Sequence, residues 1–209
     1  CITLHEDGEG FLYPETDEGR CIDCGLCEKV CPVIFQGTGR RPLNVYAAKN
    51  PDEEIRWESS SGGVFTLLAE KILSEGGVVF GARFDARWEV VHDYTENVEG
   101  LSAFRGSKYV QSRIGDSFRQ TECFLKTGRK VLFSGTPCQI AGLKLFLKKE
   151  YDNLLTVDFI CHGVPSPGVW RKYLKEIAAR RAAGKNTVLY ASLNKSGDVL
   201  RDISFISFR

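Results

Sequence analysis

Methionine is missing from all 209 residues, and the chain opens on Cys1. Its last segment, Ile203-Ser-Phe-Ile-Ser-Phe-Arg209, reads as a strand with no closing helix or polar tail, so a piece of a longer protein, cut at both ends, is expected. An excess of one charge is also missing. Lys and Arg number 28 against 27 Asp and Glu, which leaves a net charge of +1. No basic stripe gives an electrostatic reason for nucleic-acid binding. No apolar run approaches the ~20 residues that span a bilayer, and the start lacks a signal-peptide pattern, so membrane insertion is not expected. Internal repeats and low-complexity segments are absent too. A cytoplasmic globular protein is expected, with an ordinary hydrophobic share of 43% and room for one medium domain plus a small appendage.

Cysteine, by contrast, is plentiful. In a secreted chain eight cysteines would suggest disulfides, but four of these fall within eleven residues at a metal-ligand spacing. Reduced thiols fit better. The run Cys21-Ile-Asp-Cys24-Gly-Leu-Cys27-Glu-Lys-Val-Cys31-Pro32 has the spacing C-x2-C-x2-C-x3-C-P. Three thiolates so spaced on a tight glycine-containing loop can wrap one corner of a cubane cluster, and in two-cluster ferredoxins the fourth cysteine ligates the other cluster. A zinc knuckle is the alternative, but zinc sites usually show two separated C-x2-C pairs. Cys21, Cys24, Cys27 and Cys31 are therefore the candidate ligands. The remaining ligands of both clusters are expected from an upstream copy of the motif. Cys1 reads as a packed small side chain in preference to a ligand.

Along the chain, two short strands around Ile2–His5 and Phe11–Tyr13 precede the cysteine loop, and residues 36–42 read as a Gly- and Pro-punctuated linker. From Asn44 onward strands and helices alternate. Strands are expected at 44–49, 78–84, 89–94, 130–134, 154–160, 187–193 and 203–208. Helices are expected at 62–74, capped by Ser59, Ser60 and Ser61, and at 114–126, 137–149 and 166–183. Alternation of this kind argues for an α/β fold with a mixed, partly parallel sheet. The expected division is 1–38, then 44–125, then 126–209.

Four further constellations carry candidate chemistry. In Ser134-Gly-Thr-Pro-Cys138-Gln139 an apolar strand ends, Thr136 and Pro137 suit an N-cap and first helical position, and Cys138 falls in the first helical turn, where the dipole favours a thiolate. A buried cysteine under a structural turn is the other reading. Cys161-His162-Gly163-Val164-Pro165-Ser166 follows the next apolar strand at its carboxyl end, where open α/β sheets bind ligands, and a structural histidine is the other reading. Ser60-Ser61-Gly62-Gly63 before a helix leaves N–H groups free for a phosphate, and Gly106-Ser107-Lys108-Tyr109-Val110-Gln111-Ser112 offers a cation, polar side chains and an aromatic ring. Either could equally be a cap or a surface loop. Cys123 reads as structural.

Taken in order behind the cysteine run, these four motifs resemble the family of the coenzyme F420 hydrogenase/dehydrogenase beta subunit over nearly the whole chain. Members are flavin-dependent iron–sulfur oxidoreductases, and a plant and cyanobacterial branch reduces a chlorophyll derivative. The resemblance implies a flavin domain preceded by half of a ferredoxin-like α+β cluster module. It implies two 4Fe–4S clusters in the full-length protein and FAD in preference to FMN. A deazaflavin or another substrate would exchange hydride, with a redox partner protein or a small electron donor or acceptor. By position, Ser60, Ser61, Gly62, Gly63, Ser107, Lys108, Tyr109, Gln111 and Ser112 would contact the flavin. Thr136 and Cys138 would border it, and Lys108, Cys138 and His162 would take part in catalysis. The family's first cysteine run and the distal C-terminal part have no counterpart here, and the family name does not by itself establish deazaflavin use. The rival readings are a ferredoxin-like electron carrier whose α/β region only docks a partner, and a structural zinc module.

Overall fold

Val78-Val-Phe80 and Val131-Leu-Phe133 are uninterrupted apolar runs, and all six side chains are fully buried. Such runs suit strands covered on both faces, as in parallel sheets. The computed structural model describes residues 1–35, 41–181 and 204–208, with the backbone alone at 180, 181 and 204–208. In chain order its elements are β1 (Ile2–Glu6), β2 (Leu12–Thr16), α1 (Leu26–Lys29), β3 (Asn44–Ala48), α2 (Glu53–Glu58), α3 (Val64–Ser74), β4 (Val78–Phe84) and β5 (Val90–Thr95). A 3-10 helix at Glu99–Phe104 follows, then α4 (Ser117–Lys126), β6 (Val131–Gly135), α5 (Pro137–Leu147), β7 (Leu154–Asp158), α6 (Pro167–Arg181) and β8 (Ser204–Phe208). The expected strand at 187–193 lies outside the described residues.

The chain forms two compact units. The larger comprises Leu26–Lys108, Ser112–Cys161 and Ser196–Arg209. Its centre is a four-stranded sheet in the order β5-β4-β6-β7, with β4, β6 and β7 parallel and β5 antiparallel to β4. This is the mixed, partly parallel α/β sheet expected from the alternation. Side chains of alternate residues serve opposite faces. Val78, Phe80, Val131 and Phe133 pack with Leu125 of α4 and Ile140, Leu143 and Leu147 of α5. Val79 and Leu132 pack on the other face with Ala69, Ile72 and Leu73 of α3 and Leu101. Burying one such large side chain contributes roughly 1.5–3 kcal/mol, so these two clusters hold the sheet between its helices. β3 pairs antiparallel with β8 in a separate two-stranded sheet.

The smaller unit comprises Cys1–Gly25, Tyr109–Gln111 and His162–Lys195. β1 and β2 form an antiparallel hairpin, with Leu4 opposite Pro14. Its turn is shaped by the Asp7 carboxylate, which accepts the N–H groups of Glu9 and Phe11 at 3.0 and 2.9 Å. α6 starts against that turn. Ser166 Oγ and the Gly168 N–H both donate to the Glu9 carbonyl at 2.7 Å, and Arg171 pairs with Glu6.

Two helix starts depart from expectation: α4 begins at Ser117, three residues after the expected 114. α3 begins at Val64, and its N-cap is Gly63 in the left-handed region (φ 71°), without a side-chain cap. The serines serve other ends. Ser59 Oγ donates to the Ile55 carbonyl at 2.7 Å, which closes α2, a helix begun by Asp52.

Candidate functional site

The parallel pairing sets Gly135 beside Asp158, so β6 and β7 end side by side. Cys138 and Cys161 each follow three residues beyond those ends, and both are exposed. Thr136 is the N-cap of α5 and Pro137 its first residue, as the sequence implies. The Thr136 N–H donates to Gln139 Oε1 at 3.0 Å, and Thr136 Oγ1 lies 3.1 Å from Cys138 Sγ. Gln139 Nε2 in turn donates to Ser112 Oγ at 2.8 Å. The last residue of the Gly106–Ser112 segment is thereby tied to the turn that carries Cys138.

A histidine absent from the sequence reasoning completes this arrangement. His92 on β5 is buried, its ring stacked on Phe133 with centroids 5.3 Å apart. Its Nδ1 lies 2.9 Å from Ser112 Oγ, and its Nε2 lies 3.0 Å from the Ser134 carbonyl oxygen. Burial lowers its pKa, with the Ser134 carbonyl opposing. Only alternation within a strand hinted that His92 would face inward, and its partners lie 20 and 42 residues away.

The Ser60 and Lys108 motifs also meet. The Ser107 N–H donates to Ser60 Oγ at 2.6 Å, Arg105 pairs with Glu58, and Arg105 Nε donates to Thr66 Oγ1 at 3.3 Å. Lys108 Nζ is half-buried and donates to the carbonyls of Ala103 and Arg105 at 2.9 and 2.8 Å. Burial depresses its pKa to about 8. A second residue missed from sequence holds the glycines. Asn50 is buried, its N–H donates to the Gly62 carbonyl at 2.7 Å and its amide donates to the Gly63 carbonyl at 3.3 Å. Ser61 is half-buried at the same turn. Tyr109, Gln111 and His162 belong to the other unit, where Tyr109 and His162 are exposed.

The cysteine run bends sharply: Asp23 and Gly25 both lie in the left-handed region, at φ 52° and 63°. Cys21, Cys24 and Cys27 are exposed, Cys31 is partly covered, and none of the eight cysteines, Cys123 included, is in a disulfide. Among the described residues no three His, Cys, Asp or Glu side chains are gathered as a metal-ligand group. The donor set nonetheless suits a cluster: four soft thiolate donors at a cubane spacing, on a loop whose left-handed residues turn it tightly.

Three family models match in succession. A 4Fe-4S binding domain matches residues 13–36. The N-terminal model of the coenzyme F420 hydrogenase/dehydrogenase beta subunit matches 45–118, and the C-terminal model of the same protein matches 128–187. The two models together cover more than half of the chain. The chain belongs to the family of the coenzyme F420 hydrogenase/dehydrogenase beta subunit. That is the family its four motifs resemble.

Among its relatives, a component of the F420H2 dehydrogenase of Methanosarcina mazei is 25% identical over 166 residues, which cover 77% of this chain and 44% of that protein. A protein named leucine–tRNA ligase from Syntrophus aciditrophicus is 32% identical over 130 residues, 58% of this chain but only 14% of that protein. A solved chain of the F420-reducing NiFe hydrogenase complex of Methanosarcina barkeri superposes with a TM-score of 0.52 at 22% identity, over 69% of this chain and 52% of that one. This last likeness is one of fold. The chain thus spans about half or less of the length of these proteins. All four motifs that carry the resemblance fall within the two beta-subunit matches: Ser60–Gly63 and Gly106–Ser112 in the first, Ser134–Gln139 and Cys161–Ser166 in the second. Among the described residues no helix is long and apolar enough to cross a membrane.

Proposed function

We propose that this chain is part of a cytoplasmic iron–sulfur flavoprotein that passes electrons between 4Fe–4S clusters and FAD, with hydride exchanged at a deazaflavin or another small substrate. The observation that carries the reading is the thiolate run Cys21–Cys31, inside a 4Fe-4S match and directly ahead of the beta-subunit matches. Bound there, the clusters would supply one-electron steps and the flavin two-electron hydride chemistry. Cys21, Cys24 and Cys27 would hold one cluster and Cys31 would serve a second, completed by ligands from outside this sequence.

The chain's own contribution at the flavin would be orientation and charge. Lys108 supports this. Its ammonium is half-buried against two carbonyl dipoles, and no carboxylate contributes to its depressed pKa. A cation so placed favours an anionic ligand such as a flavin phosphate or reduced ring. Ser60, Ser61, Gly62 and Gly63 lead into α3, whose first N–H groups lack a side-chain cap and are available to a phosphate. Ser107, Tyr109, Gln111 and Ser112 would complete the contacts with the ring and dinucleotide, and Thr136 and Cys138 would border them. His162, beside Cys161, is assigned to substrate or proton contact. Residues 1–38 would form the cluster module, and 44–125 with 126–209 the two parts of the flavin domain. The two relatives whose names include F420 belong to a dehydrogenase and to a hydrogenase complex, and a redox partner protein is proposed here likewise.

Anaerobic purification of the full-length protein, with absorption spectrum and assays of iron, sulfide and flavin, tests the proposal. Flavin bands over broad iron–sulfur absorption are expected. Iron–sulfur absorption alone would leave a pure electron carrier, and a colourless protein would leave a zinc module.

A further inference from the structure

Among the described residues, the proposed roles leave the buried titratable group His92 unused. Its surroundings determine how it must be protonated. The Ser134 carbonyl can only accept, so the Nε2 at 3.0 Å from it carries the hydrogen. In the neutral ring Nδ1 is then an acceptor, and the hydroxyl at 2.9 Å, that of Ser112, donates to it. Ser112 Oγ keeps its lone pairs for the Gln139 amide at 2.8 Å, and the Gln139 carbonyl takes the Thr136 N–H. Every donor from Gln139 to Ser112 to His92 to Ser134 points one way. Phe133 of β6 stacks on the ring, and Ala82 of β4 stands opposite it in the sheet. Asp93, its neighbour on β5, turns to Arg83 at 2.9 Å. Burial accordingly favours the neutral form.

The backbone on either side is fixed independently. The His92 N–H donates to the Arg113 carbonyl at 2.8 Å, the Arg113 N–H donates to the Val90 carbonyl at 2.9 Å, and Ser117 Oγ donates to the His92 carbonyl at 3.1 Å. Residues beside Ser112 are thus already laid along β5. What remains for the His92 ring is the direction of one hydroxyl and, through Gln139, its attachment to the turn bearing Cys138.

We propose that His92 is a positioning residue that orients the Ser112 hydroxyl and locks Ser112 to the Gly135–Cys138 turn, so that the two present a fixed surface to the bound flavin. This rests on reading those two segments as the flavin site.

The test uses the full-length protein, with FAD affinity measured by titration and thermal stability measured without added flavin. His92→Phe keeps an aromatic ring on Phe133 and loses both polar contacts. It should weaken FAD binding about tenfold, the loss of one or two hydrogen bonds. His92→Gln, whose amide can donate to the Ser134 carbonyl and accept from Ser112, should stay within about twofold of wild type. Ser112→Ala should match His92→Phe, and the double variant should be no worse than either, because one chain has been cut twice. If His92→Phe does not fold, Ser112→Ala and Gln139→Ala with their double variant carry the same comparison. Unchanged FAD affinity in His92→Phe, losses that add in the double variant, or a Gln variant as poor as Phe would overturn the role. A wild-type protein that binds no FAD would overturn the flavin reading and this inference with it, whereas normal wild-type binding isolates the failure to His92.

Discussion

The N–H of Ser107 donates to the hydroxyl oxygen of Ser60 at 2.6 Å, across 47 positions of sequence. With the Arg105–Glu58 pair it joins two motifs that look unrelated along the chain. Ser60→Ala would leave that N–H without its partner, and a lost hydrogen bond typically costs ~1 kcal/mol. The expected outcome is a loss of about that size in urea unfolding, with Ser60→Thr close to wild type. No change in the alanine variant would show that the contact contributes nothing to stability.

Gly63 and Gly76 separate backbone strain from crowding. Both have positive φ, 71° and 72°. A Cβ at Gly63 would lie 3.1 Å from Asn50 Cβ, whereas one at Gly76 would meet nothing within 4 Å. Gly76→Ala should cost ~1–2 kcal/mol, the left-handed penalty alone. Gly63→Ala should cost more, because Asn50 must also move and its bonds to the Gly62 and Gly63 carbonyls must stretch. Equal losses in chemical denaturation would remove Asn50 from the account.

The sheet was legible because β4 and β6 announce themselves by unbroken apolar runs, and a buried strand needs little else. The turn at Thr136-Pro137 was legible for a similar local reason, since each residue suits its own position in a helix start. What could not be read required distant partners. The short helix α2 carries no apolar stripe and none of its residues is buried. Ser59, Ser60 and Ser61 look like caps for α3, but Gly63 takes that position and two of the serines bond elsewhere. Asn50 and His92 owe their roles to carbonyls and hydroxyls that only the folded chain brings near. The cysteine run was legible from spacing alone, which is a property of ligand geometry and not of the fold around it.

Cys24 is the middle thiol of the proposed first cluster. Cys24→Ser in full-length protein should lower iron and acid-labile sulfide by about one cluster's worth, about four irons, while flavin content stays the same. Unchanged iron would remove Cys24 from the ligand set.

Lys108 provides a test in which the direction of a pH effect is decisive. Burial holds its folded pKa at about 8, against its ordinary 10.5. Below pH 8 both folded and unfolded chains carry the proton, and the folded chain bears the cost of a half-buried charge. Between about 8 and 10.5 the unfolded chain still holds a proton that the folded chain has released, so this group makes stability rise with pH over that window. Lys108→Met, which keeps the length of the side chain, should flatten that rise in unfolding measurements made across it. An anion bound beside the amine reverses the balance by favouring the ammonium. Binding of FAD near pH 8.5 should therefore take up a fraction of a proton, read as a difference in heat between two buffers of unlike ionisation enthalpy. In Lys108→Met that uptake should vanish and FAD should bind more weakly, with iron content unchanged. Wild-type binding without proton uptake, together with normal flavin content and reduction in the variant, would place Lys108 as a cap on the Glu99–Phe104 helix end and nothing more.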